Sequence, residues 1–349
     1  MRVNLQTFTV HKRFPLTISR GTTAQNTNVW VQLQQDGIEG WGEASTFSAG
    51  DYPQTTETLL QELQQVAPAL EKFHPWERQQ IEKLLAEASL SSAAWAAIDL
   101  ALHDWLGKSV GLPLWRLWGL DCDRIVPISV TIGINSPELA KQRLRDWEKI
   151  TGAGVLKLKL GSPEGIVADK AMLIAVREEA PNAEITVDAN GGWTVDTALA
   201  MCNWLADMGV KYVEQPLARG QEESLKWLYE RSPLPIFVDE SCFTSRDIIR
   251  LADRVHGINI KLMKSGGLTE AIRMVHTAKA CGLQVMFGCY SDSSLANTAA
   301  AQLSPLADYL DLDSHLNLMD DPFSGAALQD GRLIPNDLPG LGVLLSFGF

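Results

Sequence analysis

Histidine and cysteine, the side chains that most often hold transition metals, are few and scattered. The six histidines form no H-x-x-x-H or H-E-x-x-H pattern. The five cysteines, Cys122, Cys202, Cys242, Cys281 and Cys289, are odd in number and contain no C-x-x-C pair. Neither a disulfide framework nor a zinc site is expected, and a reduced, cytoplasmic setting fits. No apolar run approaches the roughly 18 residues of a membrane span. The opening "MRVNLQTFTV" has no apolar signal core, so no secretory leader is expected. Positive charge is also short: 30 Lys and Arg against 42 Asp and Glu give a net charge of −12. That balance argues against nucleic-acid or anionic-membrane partners. A small anion remains bindable, through a metal or a single Arg.

What is present is a repeat. Between residues 125 and 315 short β-type runs alternate with helix-type runs. The strands read "IVPISVTIG", "VLKLKLG", "EITVDANG", "KYVEQP", "PIFVDES", "GINIKL", "QVMFGCY" and "YLDLDSH", starting at 125, 155, 184, 211, 235, 257, 284 and 309. Each interval accommodates one strand, one helix and two short loops. Ser136-Pro137 and Thr194 read as helix starts, and Gly209 as a stop. Eight strands with seven intervening helices predict a parallel α/β barrel. After the eighth strand the sequence turns rich in Gly, Pro and Asp, and no eighth helix is expected.

The first 120 residues differ. "VNLQTFTVHKR", "NVWVQLQQDG" and "IEGWGEAS" read as antiparallel strands, the last two joined around Asp36-Gly37. Helices follow over 54–71, 76–88 and 91–107. The expected division is an α+β capping domain over 1–120 and a barrel over 121–321. The tail from about 322 to 349 is expected to return to the cap.

Active sites of parallel barrels lie at the C-terminal ends of the strands. Ionisable residues recur there: Lys157 and Lys159, Asp188 and Asn190, Glu214, Asp239 and Glu240, Lys261 with Lys264 beyond, Asp311 and Asp313. One strand-end acid is plainly read as a cap for the next helix. Three on consecutive strands, Asp188, Glu214 and Asp239, suit a hard divalent cation, with Mg²⁺ the first choice. The second and sixth strands are diametrically opposite, so Lys159 and Lys261 can face one another across the mouth. That suits removal of a proton from one face of a carbon and its return on the other. Lys157 is expected to contact the substrate and, with the cation, to lower the pKa of Lys159.

Five stretches in order, "LKLKLG", "VDANGGWT", "YVEQPL", "FVDES" and "INIKLMKSGG", resemble the enolase superfamily in its muconate-lactonizing-enzyme subgroup. The resemblance extends to "GWGEAS" and "SSAAWAAIDLALHDWLG" and so covers nearly the whole chain. It implies a modified TIM barrel of (β/α)₇β form under an α+β cap. It also implies Asp188, Glu214 and Asp239 as Mg²⁺ ligands and Lys159 and Lys261 as an acid/base pair acting alpha to a carboxylate. "YLDLDSH" is similar to the Asp-x-Asp motif of dipeptide epimerases, which implies that Asp311 and Asp313 hold a substrate ammonium. Tyr290 and Asp292 stand where that group is expected to carry Met and Glu.

"FPLTISRGTTAQNTN" is expected to form a loop over the mouth. Arg20 sits there where Glu-selective relatives carry an Arg, and solvated loop Arg is its plain alternative. "STFSAGDY" is expected to close beside it, and Gly266-Gly267 to turn the chain before a helix. The expected activity is Mg²⁺-dependent epimerisation of a dipeptide substrate at its C-terminal residue, with Ala-Glu from cell-wall peptide as first candidate. The alternatives are a cycloisomerase or o-succinylbenzoate-synthase-type dehydratase on the same site, and a non-catalytic ligand-binding barrel. A homo-oligomer is left open.

Overall fold

The computed structural model describes residues 1–49, 53–152 and 154–346. The chain opens with an antiparallel sheet, β1 (Arg2–Ile18), β2 (Gly21–Gln35) and β3 (Ile38–Ala44). β2 and β3 meet in a two-residue turn in which Asp36 and Gly37 both have positive φ, 54° and 77°. That is the turn an Asp-Gly pair supports, because its twist matches the strands it joins. β1 and β2 pair to their very ends, Ile18 opposite Gly21, with one irregularity between His11 and Leu16. The segment expected as a loop is therefore the tip of a hairpin, with Ser19 and Arg20 at its turn. Strand pairing fixes Arg20 where a free loop would not. The end of the neighbouring "STFSAGDY" segment falls outside the described residues.

Helices α1 (Thr56–Leu70), α2 (Arg78–Glu87), α3 (Ser92–Val110) and the short α4 (Leu114–Leu117) complete the cap. α3 packs on β3 at backbone distance. Side chains at Gly40 and Gly42 would run into the carbonyls of Ala101 and Ala97. This accounts for "GWG" facing "AAWAAIDLA": small residues on both surfaces let helix and strand close without a void.

The barrel strands are β4 (Val130–Ile132), β5 (Val155–Lys159), β6 (Glu184–Asp188), β7 (Val213–Glu214), β8 (Ile236–Val238), β9 (Gly257–Ile260), β10 (Gln284–Gly288) and β11 (Tyr309–Asp311). They form one parallel sheet in sequence order, and an Ile128–Leu310 bridge brings the last strand to the first. The seven connections carry α5 (Pro137–Thr151), α6 (Ile166–Glu179), α7 (Val195–Asp207), α8 (Glu222–Tyr229), α9 (Ser245–Leu251), α10 (Leu262–Ser265) with α11 (Leu268–Ala280), and α12 (Ser294–Ala301). Ser136 caps α5 through Leu139 N, and Gly152 ends it in the left-handed conformation. Thr194 caps α7 through Thr197 N. Gly266 and Gly267, φ 86° and 107°, turn the chain between α10 and α11.

No helix follows β11. The tail forms β12 (Phe323–Ser324), β13 (Ala327–Gln329), β14 (Arg332–Ile334) and β15 (Leu344–Leu345). Phe323 sets its ring edge-on to Phe8 and Trp41 of the first sheet, each at 5.8 Å. Gly340 exchanges backbone hydrogen bonds with Leu112 and Leu114. No helix of the described residues is long and apolar enough to cross a membrane.

Candidate active site

Strand alternation sorts β5. Leu156 and Leu158 are fully buried in the apolar core, while Lys157 and Lys159 are buried on the opposite face, inside the barrel. Toward the N-terminal end of the strands the interior is closed by Tyr212, Phe237, Met286 and Tyr309. Toward the other end it is ionic. Six carboxylates, Asp188, Glu214, Asp239, Glu240, Asp311 and Asp313, meet four ammonium groups, Lys157, Lys159, Lys261 and Lys264, all buried.

The pairing is specific. Lys159 Nζ lies 2.6 Å from Asp188 Oδ2, and Lys261 Nζ 2.9 Å from Asp239 Oδ2. Lys264 Nζ approaches Asp239 Oδ1 at 2.5 Å and also donates to the carbonyls of Asp239, Cys242 and Asn259. Asn259 Nδ2 donates to Glu214 Oε1 at 2.7 Å. Asn190 donates its backbone N–H to Asp188 Oδ1 and its amide to both Asp188 and Glu240. Two residues that hold this geometry have left-handed backbones, Asn190 (φ 44°) and Gln215 (φ 39°). Such conformations are uncommon outside Gly and persist where surroundings over-determine them. Gln215 Oε1 accepts from the N–H groups of Asp239 and Ser241, tying the end of β7 to the end of β8.

Two expectations need correction. Lys157 is fully buried between Glu214 Oε2 (2.6 Å), Asp311 Oδ2 (2.7 Å) and Asp188 Oδ2 (3.5 Å). It does not line the mouth, so it cannot contact substrate there. Burial alone would lower its pKa, but Asp311, Glu214 and Asp188 outweigh that and hold it well above the ordinary lysine value. It is the internal counter-charge. Asp311 is correspondingly engaged, by Lys157 and by the hydroxyls of Ser129 and Thr131. Asp313 is freer: it accepts the Thr131 N–H at 2.6 Å, and Cys289 Sγ lies 4.0 Å from its other oxygen. Burial and then the Asp311 charge push the Asp313 carboxyl up to about 7. An ammonium arriving there would relieve both.

A cavity of about 430 Å³ opens above this layer, between barrel and cap. Lys159, Lys261 and Asn190 line its floor side, and Arg20, Leu16, Ile18, Phe47 and Tyr290 its walls. Tyr290 stacks on Phe47 at 4.5 Å and 6°, and Lys261 Nζ lies 4.3 Å from the Tyr290 ring centre. Arg20 donates to Glu240 Oε1 at 2.8 Å and to Asn190 O at 3.1 Å. Lys12, Phe47 and Gln215 carried no sequence signal of a role. Lys12 reads as an ordinary polar position of an antiparallel strand, and only the docking of cap on barrel buries it.

Among the described residues no three acids converge into a ready metal cage. Each strand-end carboxylate leans on a lysine instead. The donor set nevertheless fits a hard divalent cation. Asp188 and Glu214 are direct partners in the β6–β7 register, and Asp239 immediately follows the next strand. Glu240 Oε2 is buried with no hydrogen-bond donor, and Glu214 Oε2 and Asp239 Oδ1 are met only by the ammonium groups of Lys157 and Lys264. Burial, then the Asp188 charge, pushes the Glu214 carboxyl up to about 7. Carboxylate excess of this kind is what a bound cation offsets.

The sequence matches the family described as mandelate racemase / muconate lactonizing enzyme, N-terminal domain, over residues 2–119. It matches enolase C-terminal domain-like over residues 139–347. The chain belongs to the enolase superfamily. It is 44% identical, over 100% of its own length and 99% of the other's, to a hydrophobic dipeptide epimerase of Flavobacteria bacterium strain MS024-2A. It is 38% identical, over 94% and 83%, to an L-Ala-D/L-Glu epimerase of Bacteroides thetaiotaomicron. Among solved structures it resembles the Enterococcus faecalis V583 dipeptide epimerase complexed with Mg and L-Leu-L-Tyr, with a TM-score of 0.91, 30% identity and 98% of each chain covered.

Proposed function

We propose that the protein is a Mg²⁺-dependent dipeptide epimerase that inverts the C-terminal residue, with an apolar side chain preferred there. One observation carries the reading: Lys159 and Lys261 come from strands four apart in an eight-strand barrel and line one cavity. Each is bonded to a different strand-end carboxylate. Two lysines set on opposite sides of a bound carbon, one as neutral amine to take a proton and the other as ammonium to return one, serve a 1,1-proton transfer. Lys159 takes or gives the proton on one face and Lys261 on the other. A cycloisomerase or dehydratase needs only one of them as base.

Asp188, Glu214 and Asp239 would hold the cation, which when bound supplies positive charge to the substrate carboxylate as the α-proton leaves. Asn190, Asn259 and Gln215 orient those acids. Asp313 receives the substrate's ammonium, backed by Asp311. The apolar preference rests on the wall: Leu16, Ile18, Phe47 and Tyr290 face the cavity, and the Arg20 guanidinium is already met by Glu240.

The test is incubation with Mg²⁺ in deuterated water with L-Ala-L-Leu, L-Ala-L-Phe and L-Ala-L-Glu. One deuteron should enter at the second Cα as the configuration inverts, faster for the apolar pair. Absence of exchange at that carbon in every dipeptide would overturn the reading.

A further inference from the structure

Every buried lysine of the barrel interior sits on a carboxylate. Lys12 does not. It lies on β1, pinned where the strand bridges to Leu318, and is only 7% exposed. Its ammonium donates to Ser291 Oγ at 2.6 Å and, among the described residues, forms no ion pair. An ammonium has three N–H donors, so two are left over. The group lines the same cavity as Lys159 and Lys261, on the side formed by Cys289, Tyr290 and Ser291. Leaving such a cation buried is costly unless something meets it.

Position says what that is. The ionisable groups that act on Lys12 are Cys289, Asp313 and Asp292. Cys289 in turn touches Asp313, the residue assigned above to the substrate's ammonium. Lys12 therefore stands at the amino end of the bound dipeptide, away from the cation that takes its carboxyl end. We propose that Lys12 is a specificity-determining residue that receives a carboxylate carried on the side chain of the dipeptide's first residue. Acidic first residues are selected by this pair, and cationic ones are opposed by like charge, so that one lysine both attracts and excludes. The proposal rests on the dipeptide reading above and names the half of the substrate which that reading left open.

The experiment compares kcat/KM on L-Glu-L-Leu, L-Ala-L-Leu and L-Lys-L-Leu in the wild type, Lys12→Met and Lys12→Arg. Wild type should favour Glu-Leu over Lys-Leu. In Lys12→Met the Glu-Leu to Ala-Leu ratio should fall at least tenfold and the Lys-Leu to Ala-Leu ratio should rise; Lys12→Arg should keep part of the Glu-Leu preference. An equal loss on all three substrates would overturn the proposal and make Lys12 a counter-charge for Asp292 and Asp313. Unchanged ratios would also overturn it. If the wild type turns over none of these dipeptides, the epimerase reading fails separately. Lys12 is then judged on binding, by whether Glu-Leu raises the melting temperature of wild type more than that of Lys12→Met.

Discussion

Replacing Arg20 by Met separates two roles for that residue. If the guanidinium waits for a substrate carboxylate, only dipeptides ending in Glu should suffer. The structure gives it a different partner: Nη1 lies 2.8 Å from Glu240 Oε1, whose side chain is 6% exposed. Burial, then the neighbouring Asp239 and Asp188, already push the Glu240 carboxyl above its ordinary pKa, and its Oε2 has no hydrogen-bond donor. Removing a partner from a fully buried pair costs about 3–5 kcal/mol. Arg20 is 38% exposed, so solvent screens the pair and the expected loss is about 1–2 kcal/mol. For a chain of this size that is roughly 1–3 °C in melting temperature. Adding Glu240→Gln should recover most of it, because the stranded carboxylate is then gone. On catalysis, Arg20→Met should lower kcat/KM for Ala-Leu and Ala-Glu to within about threefold of one another, under about 0.7 kcal/mol of difference. A further tenfold loss confined to Ala-Glu, about 1.4 kcal/mol, would refute this. It would mean that the guanidinium leaves Glu240 to bind substrate.

Chelation with EDTA should abolish epimerisation and Mg²⁺ restore it. If Asp188, Glu214 and Asp239 hold the cation they can do so only in the folded chain, so Mg²⁺ should also raise the melting temperature of the metal-free protein; no shift would count against those ligands. Lys159→Ala and Lys261→Ala should each abolish inversion yet retain one-sided deuterium exchange with opposite antipodes, read by chiral chromatography and mass spectrometry; normal inversion in either would end the two-base scheme. Asp99 of α3 accepts from Thr269 N and Oγ1 of α11 and pairs with Arg78, tying cap to barrel. Burial raises its pKa, but His103, Arg78 and Thr269 together pull it down to about 2. A depressed carboxyl contributes stability above its unfolded pKa near 3.8 and loses it as pH falls toward 2. Asp99→Asn should therefore cost about 2 kcal/mol at neutral pH, with the difference from wild type shrinking between about pH 4 and 2. A difference constant across that range, by denaturant melts, would exclude the ionic contribution.

The parts of the fold legible in the sequence were those set by local chemistry. Ser136-Pro137, Thr194 and Asp36-Gly37 act where they stand, through a cap or a turn, and all three do so here. The eight-strand repeat was equally plain, because each strand and its helix occupy one interval. Positions set by the docking of cap on barrel were not legible. Lys12 and Phe47 belong to polar or loop stretches of the cap, and their burial comes from surface supplied far along the chain by Cys289 to Ser291, 279 residues on in the case of Lys12 and Ser291. The tip of the first hairpin is hidden from the sequence for a related reason. "FPLTISRGTTAQNTN" has weak strand alternation, and it is pairing between its two halves, Leu16 opposite Thr23 and Ile18 opposite Gly21, that extends it.

Depth is the other thing a strand pattern hides. Alternation tells which residues share a face, and on that ground Lys157 and Lys159 look equivalent, as do Asp311 and Asp313. Two residues along a strand are about 6.6 Å apart, enough to pass from the mouth of a barrel to its closed interior. So Lys159 reaches the cavity, while Lys157 lies below it, neutralising Glu214 and Asp311. At the end of β11 the two acids also differ: Asp311 is spent on Lys157, while Asp313, in the turn that follows, accepts the Thr131 N–H and lies 4.0 Å from Cys289 Sγ. On β5 the last inward-facing ionisable residue lines the cavity, and the one before it balances charge. Without Lys157, Glu214 and Asp311 would be buried carboxylates with no ammonium between them.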